Sequence, residues 1–205
     1  AIYSIENYLT SRRLMYWSVY LHKTVVAYER TLINCIRRAE YLAKQGWDIF
    51  ASPALKYFLY NDINADWFTS HPEALDMYSQ LDDSDIWSAV KVWAQSDDKL
   101  LSMLADDVIN RHIFKVEVRE EPVSDEEQHE LRKSLAEKAG ISYDDAGYLM
   151  SVNTIQKDMY DINDDHISIL YKDGTIKDIT EASELLNVDL LSKKVRKYYL
   201  CYQRF

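Results

Sequence analysis

The chain has 205 residues, of which 47% are hydrophobic, 13% are aromatic and only four are Gly and three are Pro, a composition that favours an ordered, helix-rich fold over disorder. A net charge of −10 argues against nucleic-acid binding by the whole surface, but it leaves room for a local basic pocket that takes a small anion. No apolar run approaches the roughly 20 residues of a membrane span, and no charged-then-apolar leader opens the sequence, so we expect a cytoplasmic protein rather than a membrane or secreted one.

The first half of the chain has a helical pattern throughout. Between about Ser4 and Gln45, hydrophobic residues recur at spacings of three, four and seven, and Gly46 is a natural C-cap. We therefore predict one long central helix, with a kink left open. Shorter helices are predicted to begin at Ser52-Pro53, His71-Pro72, Asp82 and Ser96-Asp97-Asp98, the last running to about His112.

At Phe114 the pattern changes from a helical period to alternation. Ser124 and Gly140 bracket a predicted helix, and Lys172-Asp173-Gly174 is a hairpin turn. The predicted fold is mainly α: a helical lobe over residues 1–113, built on the long central helix, followed by a small α+β domain over residues 114–205. The order β-α-β-β-α-β suggests a ferredoxin-like domain, with strands predicted at 115–119, 148–159, 166–171, 175–179 and 195–202 and a second helix at 181–186.

Two motif classes carry little chemistry. Asp82-Asp83-Ser84-Asp85 and Asp161–Asp165 resemble acidic metal loops but lack the Gly and Glu register of an EF-hand, so we interpret them as caps or solvated loops. Four histidines lack Cys or carboxylate partners at ligand spacing, so we expect no metal site in this chain; they are His71, His112, His129 and His166.

Nothing in the sequence indicates covalent catalysis. Cys35 and Cys201 are predicted to be buried reduced thiols rather than a disulfide pair. No Gly-rich phosphate loop and no Gly-x-Ser-x-Gly elbow occur. Any activity of the protein must therefore depend on other side chains.

The segment Thr10–Thr24 is the most informative part of the chain, because an apolar-periodic helix rarely carries an Arg, two Tyr, a His and a Lys within three turns. On an α-helix, at about 100° per residue, Arg12 and Tyr20 would line one cleft, Lys23 would return close to the angle of Arg12, and His22 would point away from Tyr20. The alternative is an amphipathic core helix whose aromatic residues pack and whose charges are solvated.

The stretch from Arg12 to Lys23, with its Tyr20-Leu-His-Lys23 core, resembles the region downstream of the metal site in HD-domain phosphohydrolases. It is most similar to the deoxynucleoside triphosphate triphosphohydrolases related to the SAM-and-HD-domain enzyme. Ser96-Asp-Asp-Lys-Leu followed by Arg111-His-Ile-Phe-Lys115 is similar to a second segment of that family, in the same order. No His-Asp dipeptide occurs in this sequence. The resemblance therefore implies the C-terminal part of a larger enzyme, whose HD half would hold a divalent metal, with no cofactor in this chain.

The resemblance also implies roles for single residues. Arg12 would hold the γ-phosphate of a bound nucleotide, and Tyr20 would pack on the deoxyribose; these are the predicted catalytic-site residues. An ion pair of Arg12 with Glu6 and a core position for Tyr20 are the open alternatives. Leu21 stands where the mammalian relative has Gln, so one direct sugar hydrogen bond is lost.

A second set of residues matches the effector-nucleotide contacts of the nucleotide-activated family members. These are His22 and Lys23, together with Arg111 and Lys115, which would meet them at a subunit junction. Trp17-Ser18 stands where that relative has a basic pair, so fewer phosphate contacts are implied. Alternatively, Arg111 and Lys115, placed one helical turn apart at a helix end, only complement the helix dipole.

The sequence thus predicts part of a metal-dependent phosphohydrolase that takes a nucleoside triphosphate as substrate or effector, with no membrane and no specific nucleic-acid partner. Because Tyr16, Trp17 and other aromatic residues surround much of the long helix, we also expect a homo-oligomer. The alternatives are a noncatalytic nucleotide-binding module that controls regulation or oligomerisation, and a pure scaffold whose basic residues are all solvated.

Overall fold

The structure, a computed structural model, describes residues 2–157, 167–183 and 195–205. Among these residues, no helix combines the length and the apolar character that a membrane span requires. A π-helical turn covers Tyr16–Tyr20 and a 3-10 turn covers Asp145–Leu149. The helices are α1 (Ile2–Met15), α2 (Lys23–Lys44), α3 (Pro53–Tyr60), α4 (Ala65–Ser70), α5 (Glu73–Gln80), α6 (Asp83–Trp93), α7 (Lys99–Asn110), α8 (Asp125–Ala139) and α9 (Ile179–Ala182), and the strands are β1 (Lys115–Arg119), β2 (Met150–Lys157), β3 (Ser168–Leu170), β4 (Ile176–Asp178) and β5 (Val195–Tyr202).

The prediction of a mainly helical chain with a small α+β portion is confirmed, and local capping explains why the helix ends were readable. Gly140 ends α8 with φ at 65°, a left-handed conformation that glycine adopts without a Cβ clash. Side-chain oxygens accept hydrogen bonds from backbone N–H groups at the starts of six of the described helices: Ser52 from Leu55, Asn64 from Trp67, Asp82 from Ser84 and Asp85, Asp98 from Leu101, Ser124 from Glu127, and Asp178 from Thr180.

The chain divides into two compact units that interleave along the sequence. The first unit comprises Ala1–Val26, Glu117–Val123 and Val152–Leu200. The second unit comprises Ala27–Val116, Ser124–Ser151 and Cys201–Phe205. The predicted domains were sequential segments, 1–113 and 114–205, and that boundary stays a prediction.

The strands form two sheets rather than one. In the three-stranded sheet the order is β1-β5-β2, so β5 is the central strand, whereas β3 and β4 pair with each other as an antiparallel hairpin. A ferredoxin-like domain needs the hairpin strands within a single sheet, so that arrangement is not confirmed for the described residues. A physical reason lies in the packing of Ile169, since this β3 residue joins the hydrophobic cluster of Leu9 and Ile179. Residues 158–166 and 184–194, which include parts of the predicted strands and of the helix at 181–186, lie outside the described residues.

The core of the first unit is formed by α1 and the hairpin region. Leu9 and Ile179 are 1% and 0% exposed, and Ile2, Ile5 and Ile169 pack against them. Glu6, on the same helix, is also buried and accepts a hydrogen bond from the hydroxyl of Ser183. Helix α1 is therefore anchored through its apolar stripe, which leaves its other faces to solvent.

In the second unit, α2, α6 and α7 bury most of the apolar residues. Trp93 fills the core and donates from Nε1 to the carbonyl oxygen of Phe50 at 2.9 Å. Cys35 and Cys201 are buried and free, as predicted. Burial raises the pKa of Cys35 to about 12 and that of Cys201 to about 11, so both thiols stay protonated and unreactive near neutral pH.

A buried ionic cluster joins three elements of this second unit. Arg38 on α2 donates from Nη2 to Asp98 Oδ2 at 2.6 Å and from Nη1 to Asp145 Oδ1 at 2.6 Å. Burial lowers the pKa of Arg38, but the hydrogen bonds and charges of the two carboxylates outweigh burial and raise it overall. The rings of Tyr41 and Tyr148 lie 5.2 and 5.4 Å from the guanidinium carbon. Arg38 is thus fully partnered within the fold.

Candidate anion-binding surface

The long central helix predicted between Ser4 and Gln45 is interrupted. Helix α1 widens into the π-helical turn, in which the N–H of Leu21 donates to the carbonyl oxygen of Tyr16 at 2.7 Å, five residues back. The chain leaves helical geometry at Leu21, with φ −101° and ψ 14°, before α2 begins at Lys23. The angular relation assumed for a straight helix from Arg12 to Lys23 therefore does not hold. Such π turns occur frequently at functional sites.

Strand β5 holds this turn in place. The hydroxyl of Tyr199, a residue only 2% exposed, donates to the carbonyl oxygen of Leu21 at 3.1 Å. Lys197 Nζ lies 4.8 Å from the centroid of the Trp17 ring. Residues two apart on a strand point to the same face, so one face of β5 contacts both the middle and the end of the turn.

Arg12 and Tyr20 both lie beside the ring of Tyr16. The guanidinium carbon of Arg12 is 5.7 Å from the Tyr16 centroid, and the Tyr16 and Tyr20 centroids are 5.4 Å apart with a tilt of 55°. Both Arg12 and Tyr20 are exposed. Within the described residues Arg12 makes no ion pair, and Glu6, its expected alternative partner, is buried. The Arg12–Glu6 ion pair is therefore not observed, and Tyr20 is not a core aromatic.

His22 and Lys23 follow directly at the break between the turn and α2. Both side chains are exposed, and His22 Nδ1 accepts from the backbone N–H of Thr24 at 3.3 Å. This contact fixes the ring beside the first turn of α2. With Arg12 and Tyr20, these two residues belong to the first unit.

Arg111 and Lys115 belong to the second unit, and they are not one helical turn apart as predicted. Helix α7 ends at Asn110, because Arg111 adopts a left-handed conformation with φ at 59° and the N–H of His112 donates back to the carbonyl of Asp107. Lys115 already starts β1, and its Nζ lies 5.2 Å from the Tyr202 ring. That these residues join His22 and Lys23 at one effector site stays a prediction.

Lys197 and Tyr199, which contact the π turn, were not predicted from the sequence, although both lie in a segment with an unusual charge pattern. The two longest stretches without Asp or Glu are residues 7–28 and 190–205, in a chain with 34 acids among 205 residues. The contacts of β5 with the π turn join these two stretches. A chain of net charge −10 thus contains a region where cations and aromatic rings meet with no acid nearby in sequence, which favours binding of an anion.

One group of potential metal ligands occurs among the described residues, and the sequence analysis overlooked it. Ligand atoms of Asp106, Asp107 and His112 lie within 4.8 Å of one another. His112 has carboxylate neighbours because the left-handed turn after α7 folds the chain back. However, Asp106 already accepts from Asn110 at 2.8 Å and Asp107 from Gln203 at 2.8 Å, so these hydrogen bonds account for both carboxylates without an ion.

Two further features have structural explanations. The predicted cap at Asp82-Asp83-Ser84-Asp85 is confirmed as a reciprocal capping box, and the hydrogen bonds from Ser84 lower the pKa of Asp82. The matching motif Asp161–Asp165 lies outside the described residues. A cavity of about 260 Å³ between α2 and α6 is lined mainly by apolar side chains, including Leu32, Ile36 and Ile86, and has no cluster of catalytic groups.

Comparison with known proteins places the chain beside a phosphohydrolase. A solved phosphohydrolase from Bacteroides thetaiotaomicron VPI-5482 is 58% identical, with a TM-score of 0.91, over 99% of this chain and 50% of that chain. Uncharacterized protein YwfO of Bacillus subtilis (strain 168) is 28% identical over 98% of this chain and 45% of its own length. No family model matches the sequence.

These similarities support the predicted relation to phosphohydrolases. The chain spans about half the length of the proteins it matches. The HD-domain relation, the deoxynucleotide substrate and the effector site stay predictions.

Proposed function

We propose that the chain is the C-terminal part of a metal-dependent HD-family phosphohydrolase that acts on nucleoside triphosphates or deoxynucleoside triphosphates. The observation that carries the proposal is the surface of the π turn, where Arg12 is exposed beside the Tyr16 and Tyr20 rings in a segment without acids. A guanidinium group matches the geometry of a phosphate, and aromatic rings pack against sugars and bases. The similarity to a phosphohydrolase supports a phosphate ester as substrate.

The metal of such an enzyme would bind outside this chain. The sequence has no His-Asp dipeptide, and the group at Asp106, Asp107 and His112 contains one histidine rather than two, so the described residues do not fit an HD metal site. Within this chain, Arg12 would bind the terminal phosphate, and Tyr20 would orient the sugar. This chain alone is therefore expected to release no phosphate or triphosphate from a nucleotide, even with added divalent metal.

The direct test is Arg12→Ala in a full-length protein that carries this chain. Loss of a charge-assisted phosphate contact weakens binding by about 1.5–3 kcal/mol, so kcat/KM should fall by roughly ten- to a hundredfold. Arg13→Ala is the matched control, because it removes the same charge one residue along the same helix. Initial rates for both variants check the expectation, and equal losses in the two would contradict a specific phosphate contact.

A regulatory role is proposed for His22, Lys23, Arg111 and Lys115, which would bind an effector nucleotide. Lys23→Ala and Arg111→Ala should shift the effector concentration needed for half-activation, whereas Arg12→Ala should lower the rate at saturating effector. Rates measured against effector concentration separate these effects. The effector site would be contradicted if the parent enzyme needs no effector, or if the variants keep its activation midpoint. The four residues would then be ordinary surface residues.

The noncatalytic alternative, a nucleotide-binding module that controls regulation or oligomerisation, predicts binding without turnover by the full-length protein.

Oligomerisation of the protein also stays a proposal. Tyr16 and Trp17 are half-buried rather than fully exposed to solvent, but on α1 the side chains of Tyr8, Leu14 and Met15 are 61%, 60% and 48% exposed. Light scattering across the micromolar range tests it, and a monomer throughout would contradict it.

A further inference from the structure

Strand β5 places a cation beside the π turn, whose own residues carry no charge. Lys197 Nζ lies 4.8 Å from the centroid of the Trp17 ring, and its side chain is half-buried. In the part of the chain that the structure describes, no carboxylate pairs with it. The pairing with an aromatic ring is attractive, but it provides no negative charge to balance that of the ammonium group.

The position of Lys197 is well defined by its strand. β5 is the central strand of the three-stranded sheet, so it is fixed on both edges by hydrogen bonds with β1 and β2. Two residues further on, the buried Tyr199 ties the same face of β5 to the carbonyl oxygen of Leu21. A lysine on such a rigid element is pre-organised beside the turn, unlike a lysine on a loop.

Two segments without acids meet at Lys197. The π turn and the part of α1 from residue 7 onward lie within residues 7–28, and β5 lies within residues 190–205, the two longest stretches of the sequence without an acid. Across the whole chain, by contrast, acids outnumber Lys and Arg by 34 to 24. A partly desolvated cation that pairs with no acid among the described residues attracts an anion from solution, and interaction with a multivalent anion is stronger than with a monovalent one.

We propose that Lys197 is a phosphate-binding residue of the π-turn surface, where it and Trp17 form a corner that takes the polyphosphate of a nucleotide. Because the proposed function assigns the π turn to nucleotide binding, the role of Lys197 rests on that function and extends it to a second element. The ammonium group binds the phosphate oxygens, and the Trp17 ring holds the ammonium in place. Strand β5 is then part of the ligand site and not only its support.

The experiment is a calorimetric titration of the full-length protein with inorganic triphosphate, at low and at moderate ionic strength. Lys197→Ala should weaken triphosphate binding by about ten- to a hundredfold, as expected for loss of a charge-assisted contact. Its affinity should also depend less steeply on salt than that of the parent. Lys197→Arg should bind triphosphate more tightly than Lys197→Ala, because the charge and the contact with an aromatic ring are retained.

Lys177→Ala is the matched control. Lys177 lies in the same unit and its Nζ is 5.8 Å from the Tyr171 ring, so this variant removes an equal charge and a similar ring contact from the β3–β4 hairpin. It should bind triphosphate as the parent does. The thermal unfolding midpoint, measured for every variant, shows whether a loss of affinity comes from loss of the fold.

Three outcomes would overturn the role of Lys197: a parent that binds no triphosphate, a Lys197→Ala variant that binds it like the parent, or equal losses for Lys197→Ala and Lys177→Ala. The proposed function fails separately. If the full-length protein hydrolyses no nucleotide but loses triphosphate binding on Lys197→Ala, the anion site stands without the enzyme. If Arg12→Ala alone lowers kcat/KM, the enzyme stands without Lys197.

Discussion

Arg12 and Arg38 have similar local sequences but opposite surroundings. Each lies on a helix with its guanidinium group over a tyrosine ring, at 5.7 Å for Arg12 and 5.2 Å for Arg38. Arg38 also holds two carboxylates, from residues 60 and 107 positions away in the chain, whereas Arg12 pairs with no acid among the described residues. Whether an arginine is structural or available to a ligand thus depends on acids that are distant in the chain, and not on its neighbouring residues.

The largest effect expected from this comparison is the loss of stability caused by Arg38→Ala. Removing the guanidinium group leaves the carboxylates of Asp98 and Asp145 without their cation, and breaking a buried ion pair in this way destabilises a protein by about 3–5 kcal/mol. Urea unfolding measures the loss. Arg37→Ala is the control, since Arg37 is exposed beside the same Tyr148 ring and should change stability by less than about 1 kcal/mol.

Arg12→Ala completes this comparison, because an exposed arginine without an acid partner should change stability by less than about 0.5 kcal/mol. If Arg12→Ala destabilised the protein as much as Arg38→Ala, the contrast between the two arginines would be wrong. A neutral Arg38→Ala would contradict it equally.

A second prediction concerns Asp107, a buried carboxylate that has no arginine partner. Burial raises its pKa to about 6, although the hydrogen bond from Gln203 and the charge of His112 act in the opposite direction. The ordinary pKa of Asp is about 3.9, so the folded state holds the proton more tightly. The stability that this group contributes is therefore fully present below about pH 4 and is lost as pH rises through about 6.

Asp107→Asn should remove that pH dependence, because the amide is neutral and keeps an oxygen that can accept from Gln203. Relative to the parent, the variant should gain about 2–3 kcal/mol of unfolding free energy between pH 4 and pH 8. Urea unfolding at several pH values gives this difference. Asp106→Asn, at an exposed position, is the control. Because the charge of Asp106 helps to raise the pKa of Asp107, its removal should give a much smaller difference of the same sign. A flat curve for Asp107→Asn would show that this carboxyl is solvated in the folded state.

A smaller effect than those of Arg38→Ala and Asp107→Asn is expected from Tyr199→Phe. The change removes only the hydroxyl that donates to Leu21, which should lower stability by about 1 kcal/mol. Because the end of the π turn loses its hydrogen bond to β5, amide hydrogen exchange should accelerate at Leu21 and His22 more than elsewhere. Tyr198→Phe, on the neighbouring half-buried position, should leave those amides unchanged. Equal exchange at these amides in the two variants would show that the Tyr199 hydroxyl does not stabilise the turn.

Elements that depend on neighbouring residues could be predicted from the sequence. The helix starting at Ser52-Pro53, the capping box at Asp82 and the left-handed Gly140 all lie where expected, since their hydrogen bonds join residues three or four apart. The hairpin turn at Lys172-Asp173-Gly174 also lies where expected, because its geometry depends on neighbouring residues. The candidate residues Arg12, Tyr20, His22 and Lys23 were found because their side-chain chemistry is concentrated in one short segment.

The sequence by itself thus determined several helix starts, the helix end at Gly140, the hairpin turn, the buried thiols and the segment that carries the candidate site. Tertiary structure decided the break at Leu21, the left-handed end of α7 at Arg111, the separate hairpin sheet and the arrival of Lys197 beside Trp17. These features depend on partners far apart in the chain, such as Tyr199 and Leu21, which are 178 residues apart. A local pattern determines which backbone geometries are favourable, but only the packing of distant segments selects among geometries of nearly equal free energy.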